Sequence, residues 1–155
     1  MTDAPPTATT LLVGALADLR AAAGLLRAAD LALADAPTDL SNVRWAVKLF
    51  VFRKRKAAAD APELFWSNLD EAHRLCQASD AALQRLFAAH GDSPAVVRLR
   101  AELDDAGYGT ILPALDVRAE PGDELETSAS LRPTVARMRV CEPRMVSAIQ
   151  ALATR

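Results

Sequence analysis

Aromatic residues are scarce in this chain, 5% of the total, and cysteine and glycine are rare too, with two and six copies. A hydrophobic content of 51%, much of it alanine, nevertheless excludes disorder for the bulk of the chain. Such a composition favours helices that pack closely through small and aliphatic side chains. Cys76 and Cys141 are too few for a disulfide scaffold and are expected to be buried as small hydrophobes. Equally lacking is an unbroken apolar run of the roughly 20 residues that a membrane span needs. Residues 11–33 are interrupted by Asp18, Arg20, Arg27 and Asp30, so no span is expected. The opening Met1-Thr2-Asp3-Ala4-Pro5-Pro6 has neither the basic stretch nor the apolar run of a secretory signal, and the cytoplasm is the expected location.

Catalytic signatures are missing as well. His73 and His90 are the only histidines, and neither has a partner at metal-ligand spacing; HExxH, ExxH and CxxC do not occur. No metal or cofactor is therefore expected. Glu71 and His73, two residues apart, point to different faces of a helix and cannot act together without residues from elsewhere in the fold. A glycine-rich phosphate loop and a GxSxG nucleophile elbow are both absent.

What is present is helical periodicity. Residues 1–9 read as a flexible lead, and residues 10–107 as a helical bundle. Leu12, Leu16, Leu19, Ala23, Leu26 and Leu33 recur at helical spacing in a first helix that Pro37 closes. Thr38 and Asp39 start a second over 40–59, with Trp45, Leu49 and Phe52 on one face and Val43, Val47 and Phe50 on another. Asp60 and Pro62 mark the start of a third helix running to His90, cored by Phe65, Leu69, Ala72, Cys76, Leu83 and Leu86, with Gly91 as a left-handed stop. Ser93 and Pro94 open a shorter fourth, carrying Val96, Val97, Leu99 and Leu103 and closed by Gly107. Residues 108–155 read as an irregular acidic segment with a short β-hairpin as an option, then a helical tail from Pro133 that Pro143 kinks or splits. The expected fold is all-α, a compact bundle of about four main helices with an irregular C-terminal region.

Charge is unevenly placed. Residues 41–60 carry Arg44, Lys48, Arg53, Lys54, Arg55 and Lys56 against Asp60 alone. Residues 102–126 carry Glu102, Asp104, Asp105, Asp116, Glu120, Asp123, Glu124 and Glu126 against Arg118 alone. The net charge of −2 thus conceals a polarised molecule. Arg53, Lys54, Arg55 and Lys56 are the candidate partner-binding residues, for an acidic protein surface, nucleic acid or anionic lipid. Against that stands a structural reading, in which cations near the end of the second helix complement its dipole. An acidic isoelectric point weighs against nucleic acid as the main partner.

One short motif, Arg85-Leu86-Phe87-Ala88-Ala89-His90, resembles the RxxxxH signature of HEPN nucleases. The resemblance implies a dimeric helical RNase that needs no metal, with Arg85 steadying the scissile phosphate and His90 moving a proton. The competing reading puts His90 in the phase of Leu83 and Leu86, at a helix end whose free carbonyls suit an imidazole. A second passage, Ala106-Gly107-Tyr108 before Ile111-Leu112-Pro113 and Leu131-Arg132-Pro133 before Val135 and Val140, resembles the helix-to-β-domain junction of GrpE-type exchange factors. That family's very long helix and its Phe-Asp-Pro are lacking. The expected function is a non-enzymatic helical interaction or accessory protein, with a protein partner or a second copy of itself.

Overall fold

The computed structural model describes residues 6–34, 60–118 and 120–154, together with the helical backbone of 45–59. Among the described residues there is no strand, and the elements are α1 (Ala8–Ala34), α2 (Trp45–His90), α3 (Pro94–Asp105), α4 (Ile111–Leu115) and α5 (Glu124–Ala153). A 3-10 turn, Tyr108–Thr110, leads into α4. The all-α bundle expected from the periodicity is the fold observed.

Helix α1 begins at a side-chain cap, where Thr7 Oγ1 accepts the Thr10 amide at 3.2 Å. Leu12, Leu16, Leu19, Ala23, Leu26 and Leu33 are all buried, as their spacing required. Each leucine so buried contributes about 1.5–3 kcal/mol relative to leaving it in water. By length and composition α1 is apolar enough to cross a membrane, because its charges leave an 18-residue window with no more than two of them. Leu11, Leu12, Leu16, Leu19, Leu26 and Leu33 are buried in the core that α1 shares with α2 and α5, while Leu31 is exposed.

The bundle register follows from polar contacts. Ser79 Oγ on α2 donates to the Ala15 carbonyl, while Asn68 on the same helix reaches the Leu25 carbonyl, so α1 and α2 are antiparallel. Arg132 with Asp30 and Arg20 with Glu142 make α5 antiparallel to α1 in the same way. Helix α1 therefore packs lengthwise between α2 and α5, and α3 and α4 fill the space between those two towards the other end.

Two expectations about helix breaks are corrected. The separate helices expected over 40–59 and from Asp60 to His90 are one helix, α2, which runs through Pro62. A proline removes one backbone hydrogen bond, and here the preceding Ala57, Ala58 and Ala59 are strong helix formers that carry the chain through. The side chains of Trp45, Val47, Leu49, Phe50 and Phe52, and the whole of Pro37, Thr38, Asp39 and Val43, lie outside the described residues. Within the remainder of α2, Phe65, Leu69, Ala72, Cys76, Leu83 and Leu86 are buried as expected.

The second correction concerns the C-terminal third. The hairpin option and the split tail are replaced by a single helix, α5, that starts nine residues before Pro133 and passes through both Pro133 and Pro143. Both prolines are exposed, as are Ala129 and Arg139, whose carbonyls lose their amide partners. On this exposed side those carbonyls are open to solvent, and a helix bent around a core is already loosest on its outer side. Glu124 and Glu126 in the first turn suit the positive end of the helix dipole. Only residues 116–123 keep the expected irregular character, Ala119 lying outside the described residues. With 111–115 and 124–153 helical, the β-domain implied by the exchange-factor resemblance does not form.

The signals at α3 are read correctly apart from one side chain. Pro94 opens it, Val96, Leu99 and Leu103 are buried, and Gly107 ends it at φ 74°, while Val97 is exposed. Gly91, expected to be left-handed, is not among the glycines with positive φ. It is needed for space instead: a Cβ there would stand 2.6 Å from the Phe87 carbonyl oxygen.

Candidate functional site

A groove of about 140 Å³ opens between α1 and α5. Its floor is apolar, made by the buried Leu26, Phe65 and Leu131 and the half-buried Val135. Its rim is charged, carrying Arg27 and Asp30 from α1 and Arg132 and Arg139 from α5. Helical spacing explains the division, since Leu26 and Asp30, one turn apart, bring a core position and a rim position to one edge of α1. Arg132 and Arg139 are seven residues apart and share an edge of α5 for the same reason.

Asp30 organises this rim. Arg132 grips its carboxylate as a fork, Nη2 to Oδ1 at 3.0 Å and Nε to Oδ2 at 3.3 Å, and the buried Ser128 donates its hydroxyl to Oδ1 at 2.8 Å. The Arg132 guanidinium, aided by Ser128, holds the Asp30 carboxyl below its usual range against the opposing effect of partial burial. Of the sequence-derived readings, none pointed to Asp30, Ser128 or Arg132 as a cluster. The available signal was the i+7 pair Arg132 and Arg139, which becomes visible only once 124–153 is read as one helix.

Two further polar features support the bundle. Tyr108 packs its hydroxyl 3.1 Å from Ser79 Oγ, which itself donates to the Ala15 carbonyl at 2.9 Å, so one hydroxyl pair ties the turn before α4 to α1 and α2. Burial raises the Tyr108 phenol, and Cys76 and Cys141 are held up to about 12 and about 11 by the same desolvation. Both cysteines are free and buried, as expected. At the start of α5 the Trp66 indole donates to Glu124 Oε1 at 3.0 Å, and the Gly122 amide donates to the same oxygen at 3.1 Å. Hydrogen bonding from Gly122, with that from Trp66, lowers the Glu124 carboxyl. This carboxylate fastens the acidic segment to α2.

The residues nominated from sequence stand as follows. Arg85 is exposed and His90 half-buried near the end of α2, and among the described residues no hydrogen bond joins them. Five residues apart on one helix, they diverge by about 140° and do not converge on one point within a single chain. Arg53, Lys54, Arg55 and Lys56 lie within the helical span of α2, and their side chains lie outside the described residues. Phe65 is buried and meets Trp66 edge to face at 4.9 Å, the core role expected of the aromatics. Among the described residues no group of His, Cys, Asp or Glu could hold a metal ion. Compared with family models, curated proteins and solved structures, the chain matches none.

Proposed function

We propose that this chain is a non-enzymatic interaction or accessory protein that works through protein–protein contacts, meeting an acidic partner surface with Arg53, Lys54, Arg55 and Lys56. The observation that carries this reading is the continuity of α2 from Trp45 to His90. Cations near a helix C-terminus need no explanation beyond the dipole, but that effect fades within the last turn. Lys56 precedes the end of α2 by 34 residues, so the dipole gives this run no reason to exist.

An internal partner is also poorly placed. The acidic segment is pinned at Glu124 to Trp66, ten residues beyond Lys56 on the same helix. That is about 15 Å along the axis at 1.5 Å per residue. Exposed charges at such a separation are screened, the Debye length being about 8 Å at physiological ionic strength.

The test reverses all four cations to Glu. Thermal stability should stay within about 0.5 kcal/mol of the parent, as for surface changes generally. Association should slow, because rim charges act mainly on the encounter rate, and the difference should shrink at high salt. Sedimentation over a range of concentrations shows whether the partner is a second copy of this chain, whose own 102–126 stretch is acidic. A variant unaltered in both stability and association overturns the reading. Incubation with labelled RNA in EDTA checks the nuclease resemblance: the RNA should stay intact, and cleavage lost in both Arg85→Ala and His90→Ala would replace the interaction reading with a catalytic one.

A further inference from the structure

We propose that the groove between α1 and α5 binds a small apolar carboxylate, an aryl or branched-alkyl acid, with its apolar body on Leu26, Phe65 and Leu131 and its carboxylate between Arg27 and Arg139. This site is independent of the basic run on α2 and of any protein partner found there.

The charge arrangement is the first reason. Three arginines face one aspartate around the rim, an excess of two positive charges. Asp30 follows Arg27 by three residues and Glu142 follows Arg139 by three, the spacing at which a helix pairs opposite charges. Neither acid is available. Asp30 is held by Arg132 and Ser128, and Glu142 is taken by Arg20 at 3.1 Å. Among the described residues Arg27 and Arg139 are consequently left without an ion pair, although each borders the same groove. The register, read from the pairing of Asp30 with Arg132 and of Arg20 with Glu142, puts Arg27 level with residue 135 and offsets Arg139 from it by four residues, about 6 Å along the bundle axis. A carboxylate lodged between them would accept charge-assisted hydrogen bonds from the guanidinium groups, which are stronger than neutral ones.

The second reason is the volume and lining. The open groove of about 140 Å³ has room for a body about the size of a six-membered ring, although unlike the roughly 150 Å³ enclosed cavity that accepts benzene it leaves one side to water. An inorganic anion would leave the floor of Leu26, Phe65 and Leu131 unfilled. A neutral hydrocarbon would leave the two arginines unanswered. A six-carbon apolar body bearing one carboxylate satisfies both.

Titration calorimetry with phenylacetate, phenylacetamide and acetate tests the proposal. A ligand of about ten heavy atoms at ordinary ligand efficiency should bind with a Kd on the order of 1 mM. The neutral amide and the body-less acetate should each bind at least about tenfold more weakly. The double variant Arg27→Gln/Arg139→Gln changes exposed side chains only, so it should melt as the parent does while losing at least about tenfold in phenylacetate affinity. Ala136→Phe, which occludes the mouth from an exposed position, should abolish binding. Equal affinity for phenylacetamide, undiminished affinity in the double variant, or no binding heat with phenylacetate at tens of millimolar would each overturn the proposal.

Discussion

Replacing Leu69 with alanine removes about three methylene equivalents from a side chain that is 2% exposed on the face of α2 turned into the bundle. At about 0.8 kcal/mol per buried methylene, the lost transfer energy is about 2.4 kcal/mol. A residual cavity of about 50 Å³ adds roughly 1.2 kcal/mol at about 24 cal/mol per Å³, because neighbouring helices relax only in part. The expected cost is therefore about 3.6 kcal/mol. For a chain of this length each kcal/mol moves the melting temperature by about 2–4 °C, which gives a drop of about 7–14 °C in a thermal melt followed by circular dichroism. Leu64, on the same helix and 48% exposed, is the internal control. Leu64→Ala alters the same chemistry where water already reaches, and should stay within about 0.5 kcal/mol. Equal shifts for the two variants would refute the phase assigned to α2 and, with it, the packing of α2 on α1.

Three other outcomes are expected. The Asp30 carboxyl has its pKa lowered by Arg132 in the fold, so its contribution is present above the unfolded value near 3.9 and is lost as pH falls through the folded one. Asp30→Asn should therefore lower stability by up to about 1 kcal/mol at pH 7, a modest effect because both partners are partly exposed, and urea melts near pH 3 should show the difference shrinking. Gly91→Ala should destabilise by about 1–3 kcal/mol because its Cβ meets the Phe87 carbonyl, whereas Gly24→Ala, with nothing within 4 Å inside α1, should stabilise by about 0.5–1 kcal/mol; melts of the two variants should move in opposite directions. Burial holds the Cys76 and Cys141 thiols up to about 12 and about 11, so neither should react with a thiol reagent at pH 8 until denaturant is added, and rapid labelling of the native protein would show that those positions are not buried.

Much of the core was legible in residue order because a helix repeats every 3.6 residues. Leucines and alanines at that spacing declare their buried face without reference to a neighbour, as Leu12 to Leu33 in α1 and Phe65 to Leu86 in α2 do. Local chemistry likewise settled both ends of α3, where Pro94 starts the helix and Gly107 takes the left-handed turn after it. Proline was the weak guide. Pro62, Pro133 and Pro143 read as breaks, yet each costs one hydrogen bond, and whether a helix survives that depends on what packs beside it. Only the tertiary structure decides this, and it keeps the prolines of α5 on the solvent side.

The groove shows the same limit more sharply. Asp30 and Arg132 are separated by 102 residues, Trp66 and Glu124 by 58, and no periodicity relates partners on different helices. Sequence determined that Arg27 would leave the apolar stripe of its helix, but it placed Arg132 in an irregular segment and said nothing of Arg139. That Arg27 and Arg139 border one groove with an apolar floor, with Asp30 and Glu142 engaged by Arg132 and Arg20, was decided by the register in which α1 and α5 pack, a register fixed by the summed burial of both faces rather than by any residue's neighbours along the chain.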